Sequence, residues 1–241
     1  MADAQSPLPR TSLLFVFGTV CALLGGVGGW LAGTIILRGS TEKLVRDYVV
    51  SHGEILPEAM ENLRHKKDAE QLLGIRAEVE QPFAASILGN PNGKQILVEF
   101  TDFACTYCRR SVADVEQLIA GHPDLKVVVR QLPILSPNSA DAAKMGLAAA
   151  QQGKYAAFHR AMFELGQVDS ASISAAAQAA GLDMARAKQA LNDPKMEAEL
   201  AQNIEFARSL GFTGTPAWVA GKRLLSGAVG PDRLAEALNA K

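Results

Sequence analysis

The sequence has few cysteines and no excess of positive charge, and both shortages exclude whole classes of function. Three cysteines among 241 residues leave no framework of structural disulfides. The 24 Lys and Arg residues are balanced by 25 Asp and Glu residues, which gives a formal net charge of −1. Because proteins that bind nucleic acid usually carry a basic surface, nucleic acid is not an expected partner.

Charge is absent from one long stretch near the amino terminus. Residues 13–37 contain no charged side chain, and a helix of 25 residues is long enough to cross a bilayer with some tilt. A cleavable signal peptide is the alternative, but its apolar region is shorter, and the residues before Ala32 and Gly33 do not fit a cleavage site. We therefore expect a short tail over 1–12 and an uncleaved transmembrane anchor over 13–37.

The next stretch, 38–76, is predicted to form a helical stalk. Leu44 and Tyr48 begin a series of apolar residues at helical spacing, with a break near Gly53 and a second helix near Pro57. The segment is too short and too charged to bury its own apolar stripe. It must therefore pack on the domain that follows it, on the membrane surface or on copies of itself.

Cys105 and Cys108 are the residues that indicate chemistry. An apolar strand is predicted over 96–100, and the two cysteines follow it where a helical pattern begins. Their spacing places Cys108 on the buried helix face and Cys105 at the amino end, open to a partner. Free amides and the helix dipole favour a thiolate there, with help from Arg109 and Arg110 if they lie near. We therefore expect Cys105 to attack and Cys108 to resolve the mixed disulfide.

A C-x-x-C pair can also supply half of a zinc site, so metal binding is the first alternative. The sequence holds no second pair, and its four histidines lack ligand spacing: His52, His65, His122 and His159. We expect no metal and no cofactor other than the redox-active disulfide. A non-catalytic, membrane-tethered assembly factor that acts through the stalk is the second alternative.

Two motifs resemble those of the DsbA-like disulfide oxidoreductases, VEFTDFACTYC at 98–108 and GTPAWV at 214–219. The resemblance extends over about 82–241. It implies an α/β, thioredoxin-like fold with a helical insertion, which the Ala-rich region at about 139–210 fits. The domain is accordingly expected over 77–241, as a thiol-disulfide oxidoreductase that acts on cysteine-containing client proteins.

The same resemblance assigns further site residues. It implies that Pro216 is a cis-proline facing the cysteines and that Thr215 contacts the bound peptide. Glu99 corresponds to a buried acidic residue that helps proton transfer at the resolving thiol. An exposed edge position is the alternative for Glu99, but its apolar neighbours favour a strand buried on both faces, with Arg130 as a candidate partner.

Other features bear on the direction of disulfide flow. Thr106 and Tyr107 stand where DsbA itself has Pro-His, so we expect a less oxidising pair. Residues 45–63 are similar to the amino-terminal helices of ScsC-like members, which form homotrimers. Glycines also put a smooth stripe on one face of the anchor: Gly25, Gly29 and Gly33. We expect a homo-oligomer, trimer ahead of dimer. Its isomerase or reductase activity is expected to be at least as strong as its oxidase activity. A membrane redox partner is expected to reoxidise or reduce the pair.

The charges that flank the anchor bear on its orientation. Arg10 precedes the anchor, whereas Arg38, Lys43 and Arg46 follow it, and the positive-inside rule then favours a cytoplasmic carboxyl domain. Long domains can be translocated despite such charges, and disulfide chemistry fits an oxidising compartment. We therefore expect a single-pass protein of the bacterial inner membrane with its catalytic domain in the periplasm or an equivalent extracytoplasmic space.

Overall fold

The structure, a computed structural model, describes residues 41–239. The predicted anchor over 13–37 and its three glycines therefore lie outside the described residues. The chain divides into two compact units, Met1–Asn62 and Leu63–Lys241. Within 41–239, no helix combines the length and the apolar character needed to cross a bilayer.

The described part of the first unit, residues 41–62, is helical apart from one turn. Helix α1 covers 41–51, and after a turn over 52–54, helix α2 (Ile55–Leu72) begins and continues into the second unit. The predicted break at Gly53 is confirmed, and Pro57 lies in the first turn of α2, where a missing N–H costs no hydrogen bond. Several large apolar side chains of this unit are exposed: Leu44, Val45, Tyr48, Val50 and Met60.

A five-stranded mixed sheet forms the centre of the second unit. Its strands, in the spatial order β1-β3-β2-β4-β5, are β1 (Ile87–Gly89), β2 (Gln95–Thr101), β3 (Leu125–Gln131), β4 (Ala217–Ala220) and β5 (Arg223–Ser226). Only the β2–β3 pair is parallel among these neighbours. Both central strands are buried along most of their length, which fits their runs of apolar residues.

Eight further helices surround this sheet. They are α3 (Arg76–Val79), α4 (Thr106–Gly121), α5 (Ser139–Gln151), α6 (Tyr155–Leu165), α7 (Ser170–Ala179), α8 (Met184–Leu191), α9 (Pro194–Ser209) and α10 (Pro231–Asn239). Helices α5 to α9 form the predicted insertion. Asp169, Asp183 and Asp193 begin α7, α8 and α9 by accepting backbone N–H groups of the first turn.

The cores on the two sides of the sheet differ in what they bury. One contains Leu97 and Trp218, and the other contains Phe100 and Leu72, the last residue of α2. Within this unit, Asp68 of α2 accepts the backbone N–H of Leu224 at 3.1 Å, so the end of α2 is fixed to strand β5. A third core, built largely from the insertion, contains both cysteines of the C-x-x-C pair.

Candidate functional site

The two cysteines lie at the start of α4, directly after strand β2. Cys105 is the N-cap residue, and its sulfur accepts the backbone N–H of Cys108 at 3.2 Å. Its thiol donates to the carbonyl oxygen of Thr215, also at 3.2 Å. Both cysteines are free thiols. The N-cap position thus places one sulfur against a helix N-terminus, which stabilises negative charge.

The two thiols differ less in exposure than their spacing predicts. Cys108 is fully buried, as expected, but Cys105 exposes only 4% of its surface. The sequence predicts that Cys105 lies open to a partner, but in the structure Cys105 is almost as buried as Cys108. Spacing along one helix takes no account of the insertion, whose residues Phe158 and Met162 belong to the same core as the cysteines. Tyr107, between the cysteines, is exposed.

Hydrogen bonds at the helix start lower the pKa of the Cys105 thiol from 9.0 to about 6. The largest cause is the hydrogen bond with the Cys108 thiol. Burial opposes the shift, and the side chain of Thr215 and the backbone N–H groups of Cys108 and Tyr107 favour it. The Cys105 thiolate is consequently the main form at neutral pH.

The two arginines that follow the pair do not contribute to this shift. Arg109 donates to the carbonyl of Gly166 at 3.4 Å, and the Arg110 guanidinium lies over the Tyr107 ring, 5.6 Å from its centroid. The predicted help from Arg109 and Arg110 is therefore absent, because both side chains have other partners.

Cys108 behaves in the opposite way. Burial raises its pKa far above the ordinary value, and both the hydrogen bond with Cys105 and the charge of Glu99 add to the rise. A thiol that keeps its proton cannot attack until a base removes it. The pair therefore combines one thiolate, Cys105, and one thiol that stays protonated, Cys108.

Glu99 is buried on strand β2, with 2% of its surface exposed. Burial raises the pKa of its carboxyl from 4.5 to about 8; Thr101 opposes the shift, and the charge of Cys105 adds to it. Its Oε2 atom has no hydrogen-bond partner among the described residues. The predicted burial is confirmed, and the group can hold or release a proton near neutral pH.

Arg130, the candidate partner of Glu99, does not pair with it. Glu99 aligns with Val129 of the neighbouring strand, and because side chains alternate, Arg130 points to the other face of the sheet. There its guanidinium donates to Glu199 at 2.8 Å and to Asn203 at 3.1 Å.

The loop before β4 lies against the cysteines. The Thr215–Pro216 peptide bond is cis, in agreement with the resemblance. The carbonyl of Thr215 accepts the Cys105 thiol, and Ala217 pairs with Phe100 of β2, which fixes the loop at the same edge as the pair. The structure thus brings Cys105, Cys108 and Thr215 together from distant parts of the sequence.

Sequence analysis missed one residue of this site, Asp102. Its buried carboxylate accepts backbone N–H groups from Ala104 at 2.9 Å, Ile134 at 2.8 Å and Leu135 at 2.9 Å. An aspartate directly after a buried strand was the available signal, but its partners lie about thirty residues away.

His159 is buried near the cysteine pair and carries no charge. Burial lowers the pKa of His159 to about 3, so this imidazole is neutral and packs against Phe103 and Phe163. In the part of the chain that the structure describes, no three His, Cys, Asp or Glu side chains come together as metal ligands.

Comparison with known proteins places this geometry in context. Residues 96–239 match the model of a family described as the DSBA-like thioredoxin domain. Among solved structures, a thioredoxin-like oxidoreductase from Silicibacter pomeroyi DSS-3 is 37% identical and covers 68% of this chain and 95% of its own, with a TM-score of 0.65.

Two other solved structures extend the likeness. ScsC of Proteus mirabilis in a transitional conformation is 31% identical and covers 84% of this chain and 95% of its own, with a TM-score of 0.63. The thiol-disulfide exchange protein alpha-DsbA2 of Wolbachia pipientis is 26% identical and covers 73% of this chain and 97% of its own, with a TM-score of 0.67.

The curated relatives are much longer proteins. The Na(+)/H(+) antiporter NhaA 3 of Salinispora tropica is 29% identical over 131 residues, which is 53% of this chain but only 20% of the antiporter. The similarity therefore concerns about a fifth of the length of these relatives.

Proposed function

The chain belongs to the family of DsbA-like thioredoxin domains, with likeness to its ScsC members, and from that premise we propose that it is a membrane-anchored thiol-disulfide oxidoreductase. It exchanges disulfides with cysteines of extracytoplasmic proteins through Cys105 and Cys108. The observation that carries this proposal is the geometry of the pair: Cys105 is the N-cap of α4 with its sulfur 3.2 Å from the backbone N–H of Cys108, and Cys108 is fully buried. A reactive thiolate with a second, protonated thiol within reach is the arrangement that suits disulfide exchange.

In the reductive direction, the Cys105 thiolate attacks one sulfur of a client disulfide. The client S–S bond breaks, a mixed disulfide forms, and the other client sulfur leaves as a thiolate that takes up a proton. Cys108 then loses its proton and attacks Cys105, which releases the second client thiol and leaves the Cys105–Cys108 disulfide. The two electrons that the client gains come from this pair.

Glu99 is the proposed proton acceptor for Cys108. Its carboxyl titrates at about 8 and its charge raises the pKa of Cys108, so the two groups are electrostatically coupled. Transfer of the Cys108 proton to the Glu99 carboxylate would make the resolving thiol nucleophilic without bringing water into the core. In the oxidative direction, the same carboxyl returns the proton to the departing Cys108 thiolate.

Thr215 and Pro216 are proposed to bind the client backbone, and Thr106 and Tyr107 to tune the pair. The Thr215 carbonyl lies 3.2 Å from the sulfur of Cys105, so a client held on this loop would lie next to the reacting atom. Thr106 and Tyr107 occupy the first turn of α4, where their backbone N–H groups face the thiolate end of the helix.

For the direction of disulfide flow, we propose isomerase or reductase activity at least as strong as oxidase activity. An isomerase must stay reduced, and it benefits from several thiolates around one misfolded client. The exposed apolar residues of α1 and the start of α2 support a homo-oligomer, trimer ahead of dimer, because such side chains are stabilised when copies of the chain cover them. A membrane redox partner would reset the pair.

Anchoring by 13–37 with the domain outside the cytoplasm is proposed from the sequence. Fusions after Lys241 test it: alkaline phosphatase should be active, and a green fluorescent protein fusion exported by the general secretory route should stay dark. The reverse pattern would place the domain in the cytoplasm.

Exchange itself is tested by reduction of insulin disulfides and by oxidation of a reduced client with the purified full-length protein. The same experiment, together with metal analysis and a double-cysteine variant, distinguishes exchange from the two rival functions. Stoichiometric Zn or Cu(I) in the reduced protein without either activity would favour a metal-binding module. Normal cellular function of a variant that lacks both Cys105 and Cys108 would favour a non-catalytic assembly factor.

A further inference from the structure

Thr101 is a fully buried polar residue at the end of strand β2. Its Oγ1 atom has no hydrogen-bond partner among the described residues, and the Oε2 atom of Glu99 on the same strand is likewise buried without one. Burial of unpaired oxygen atoms is unfavourable, so their retention at one place favours a role in function. The two oxygens lie where the resolving thiol must gain and lose its proton.

Strand β2 and helix α4 bring Thr101 to Cys108. Side chains alternate along a strand, so Leu97, Glu99 and Thr101 point to one face of the sheet. Helix α4 starts where β2 ends and runs back along that face, where Val115 belongs to the same core as Leu97. Four steps along the strand cover about 13 Å, and seven steps along the helix, from Val115 back to Cys108, cover about 10 Å. Cys108 therefore lies against the end of β2 that carries Thr101.

The hydroxyl of Thr101 acts on both ionisable groups of this face. It lowers the pKa of Glu99 and the pKa of Cys108, because a nearby hydroxyl stabilises either anion. Gln131, which aligns with Thr101 in strand β3, uses its side-chain amide on the hydroxyl of Tyr155 at 2.7 Å. A hydroxyl has one proton to donate and two lone pairs that accept. The Thr101 hydroxyl can therefore accept the Cys108 thiol while it donates to the Glu99 carboxylate.

We propose that the Thr101 hydroxyl relays the proton between Cys108 and Glu99. This inference rests on the disulfide exchange proposed above and adds a residue to its second step. The thiol proton of Cys108 passes to Oγ1 of Thr101, while the hydroxyl proton passes to Oε2 of Glu99. Cys108, now a thiolate, attacks Cys105; the client sulfur leaves with the electrons of the broken S–S bond and takes up a proton from water. In the oxidative direction both protons move back.

The charge of Cys105 restricts this relay to the second step. The Cys105 thiolate raises the pKa of Glu99, so the carboxyl tends to keep its proton while Cys105 is free. In the mixed disulfide the Cys105 sulfur is neutral, and the Glu99 carboxyl then releases its proton more easily. Tyr155 is also coupled to Glu99, but burial raises the pKa of its phenol well above the ordinary value, so it stays neutral. The carboxylate is therefore available when Cys108 has to lose its proton.

The test separates the two chemical steps in the full-length protein in detergent. Reduced protein is mixed with an excess of a symmetrical peptide disulfide, and samples are quenched with acid and analysed by mass spectrometry. The mixed disulfide on Cys105 appears at the rate of the first attack and disappears at the rate of release by Cys108.

Three variants are compared with wild type. Thr101→Val keeps the shape of the side chain without its hydroxyl, and Thr101→Ser keeps the hydroxyl. Ser111→Ala is the matched control, because Ser111 is as buried as Thr101 but its hydroxyl donates to the carbonyl of Tyr107 at 3.1 Å. It should leave both rates unchanged.

Release in Thr101→Val is expected to slow at least tenfold, since a positioned proton-transfer group contributes about a hundredfold or more. Thr101→Ser should stay within about twofold of wild type, because its hydroxyl can still accept and donate. The first attack should keep its rate in both variants, because Cys105 is already a thiolate. In the Glu99→Gln background, Thr101→Val should cause no further slowing, because the relay then has no acceptor.

Release at the wild-type rate in Thr101→Val, equal slowing in Thr101→Ser or in Ser111→Ala, or additive slowing with Glu99→Gln would each overturn the relay. If Thr101→Val does not fold, the wild-type protein decides: a relay moves two protons, so the release rate should fall along a curve as D₂O replaces H₂O. A straight line, which indicates one proton, would overturn the relay. A wild-type protein that forms no mixed disulfide would instead overturn the proposed exchange.

Discussion

The backbone N–H of Cys108 donates to the sulfur of Cys105 across 3.2 Å, and this contact fixes the Cys105 sulfur at the start of α4. The hydrogen bond between the two thiols is the largest cause of the lowered pKa of Cys105, to which this backbone donor adds, while burial is the largest cause of the raised pKa of Cys108. The pair is therefore asymmetric although both sulfurs are largely covered. The asymmetry combines hydrogen bonding at Cys105 with burial and the charge of Glu99 at Cys108.

The first prediction concerns the roles of the cysteines. Cys105→Ser should abolish insulin reduction, whereas Cys108→Ser should accumulate mixed disulfides with clients, because no resolving thiol remains to release them. Adducts that disappear on treatment with dithiothreitol are counted after thiol trapping in cells. The third cysteine of the sequence, Cys21, lies in the predicted anchor, so Cys21→Ser is the matched control and should retain full activity. Absence of adducts in Cys108→Ser cells would contradict the exchange mechanism.

The second prediction is a pH profile. The pKa of Cys105 is lowered to about 6, so its thiolate fraction rises from low to high between about pH 5 and pH 7. The alkylation rate of the reduced protein by iodoacetamide should follow this rise with a midpoint near 6. Cys105→Ser should lose the fast phase. A midpoint near the ordinary value of 9.0 would show that the hydrogen bonds do not act on the thiolate.

Much of this site could be predicted from the sequence, and the limits are physical. The strand, cysteine pair and helix are encoded locally, so 96–100 and the start of α4 were predicted well, as was the insertion over 139–210. Strand β1, with three residues, carries too little periodicity to detect. The cover of Cys105 and the partners of Asp102 depend on contacts between residues far apart in the chain, which spacing does not reveal.

The third prediction concerns Glu99 and stability. The pKa of its carboxyl is raised from 4.5 to about 8, so the folded state keeps the proton while the unfolded chain releases it. The stability that this group contributes is fully present below 4.5 and is lost as pH rises to about 8. Glu99→Gln cannot ionise, so its free energy of unfolding relative to wild type should increase over this window, by about 4 kcal/mol.

Urea unfolding of both reduced proteins at the two ends of the window measures the effect. Glu99→Gln should also slow release of the mixed disulfide by Cys108 without slowing attack by Cys105, since only the former needs the base. A constant stability difference across the window would contradict the burial of an ionisable carboxyl. Equal slowing of both steps would contradict its role at Cys108.

The fourth prediction concerns Arg130, which donates to Glu199 on the face of the sheet opposite Glu99. Arg130→Met leaves Glu199 and the backbone carbonyl of Val79 without their buried donor, and it should cost about 3 kcal/mol of stability. Arg160→Met removes an exposed ion pair with Glu116 and should cost less than about 1 kcal/mol. Denaturant unfolding compares the two. The alkylation midpoint of Cys105 should be the same in both variants, because Arg130 lies on the opposite face of the sheet.

The last prediction links the first unit to the direction of disulfide flow. Leu44 and Tyr48 are exposed on α1, and covering them in an oligomer would gain apolar burial. The double variant L44S/Y48S of the full-length protein in detergent should therefore shift towards monomers in light scattering. Rearrangement of scrambled ribonuclease needs reduced thiols gathered around one client, so its rate should fall several-fold, while oxidation of reduced ribonuclease needs one pair and should change little. Leu73→Ser is the control for loss of an exposed apolar side chain. If wild type and L44S/Y48S are both monomeric and act only on reduced ribonuclease, the isomerase proposal fails and a simple oxidase remains.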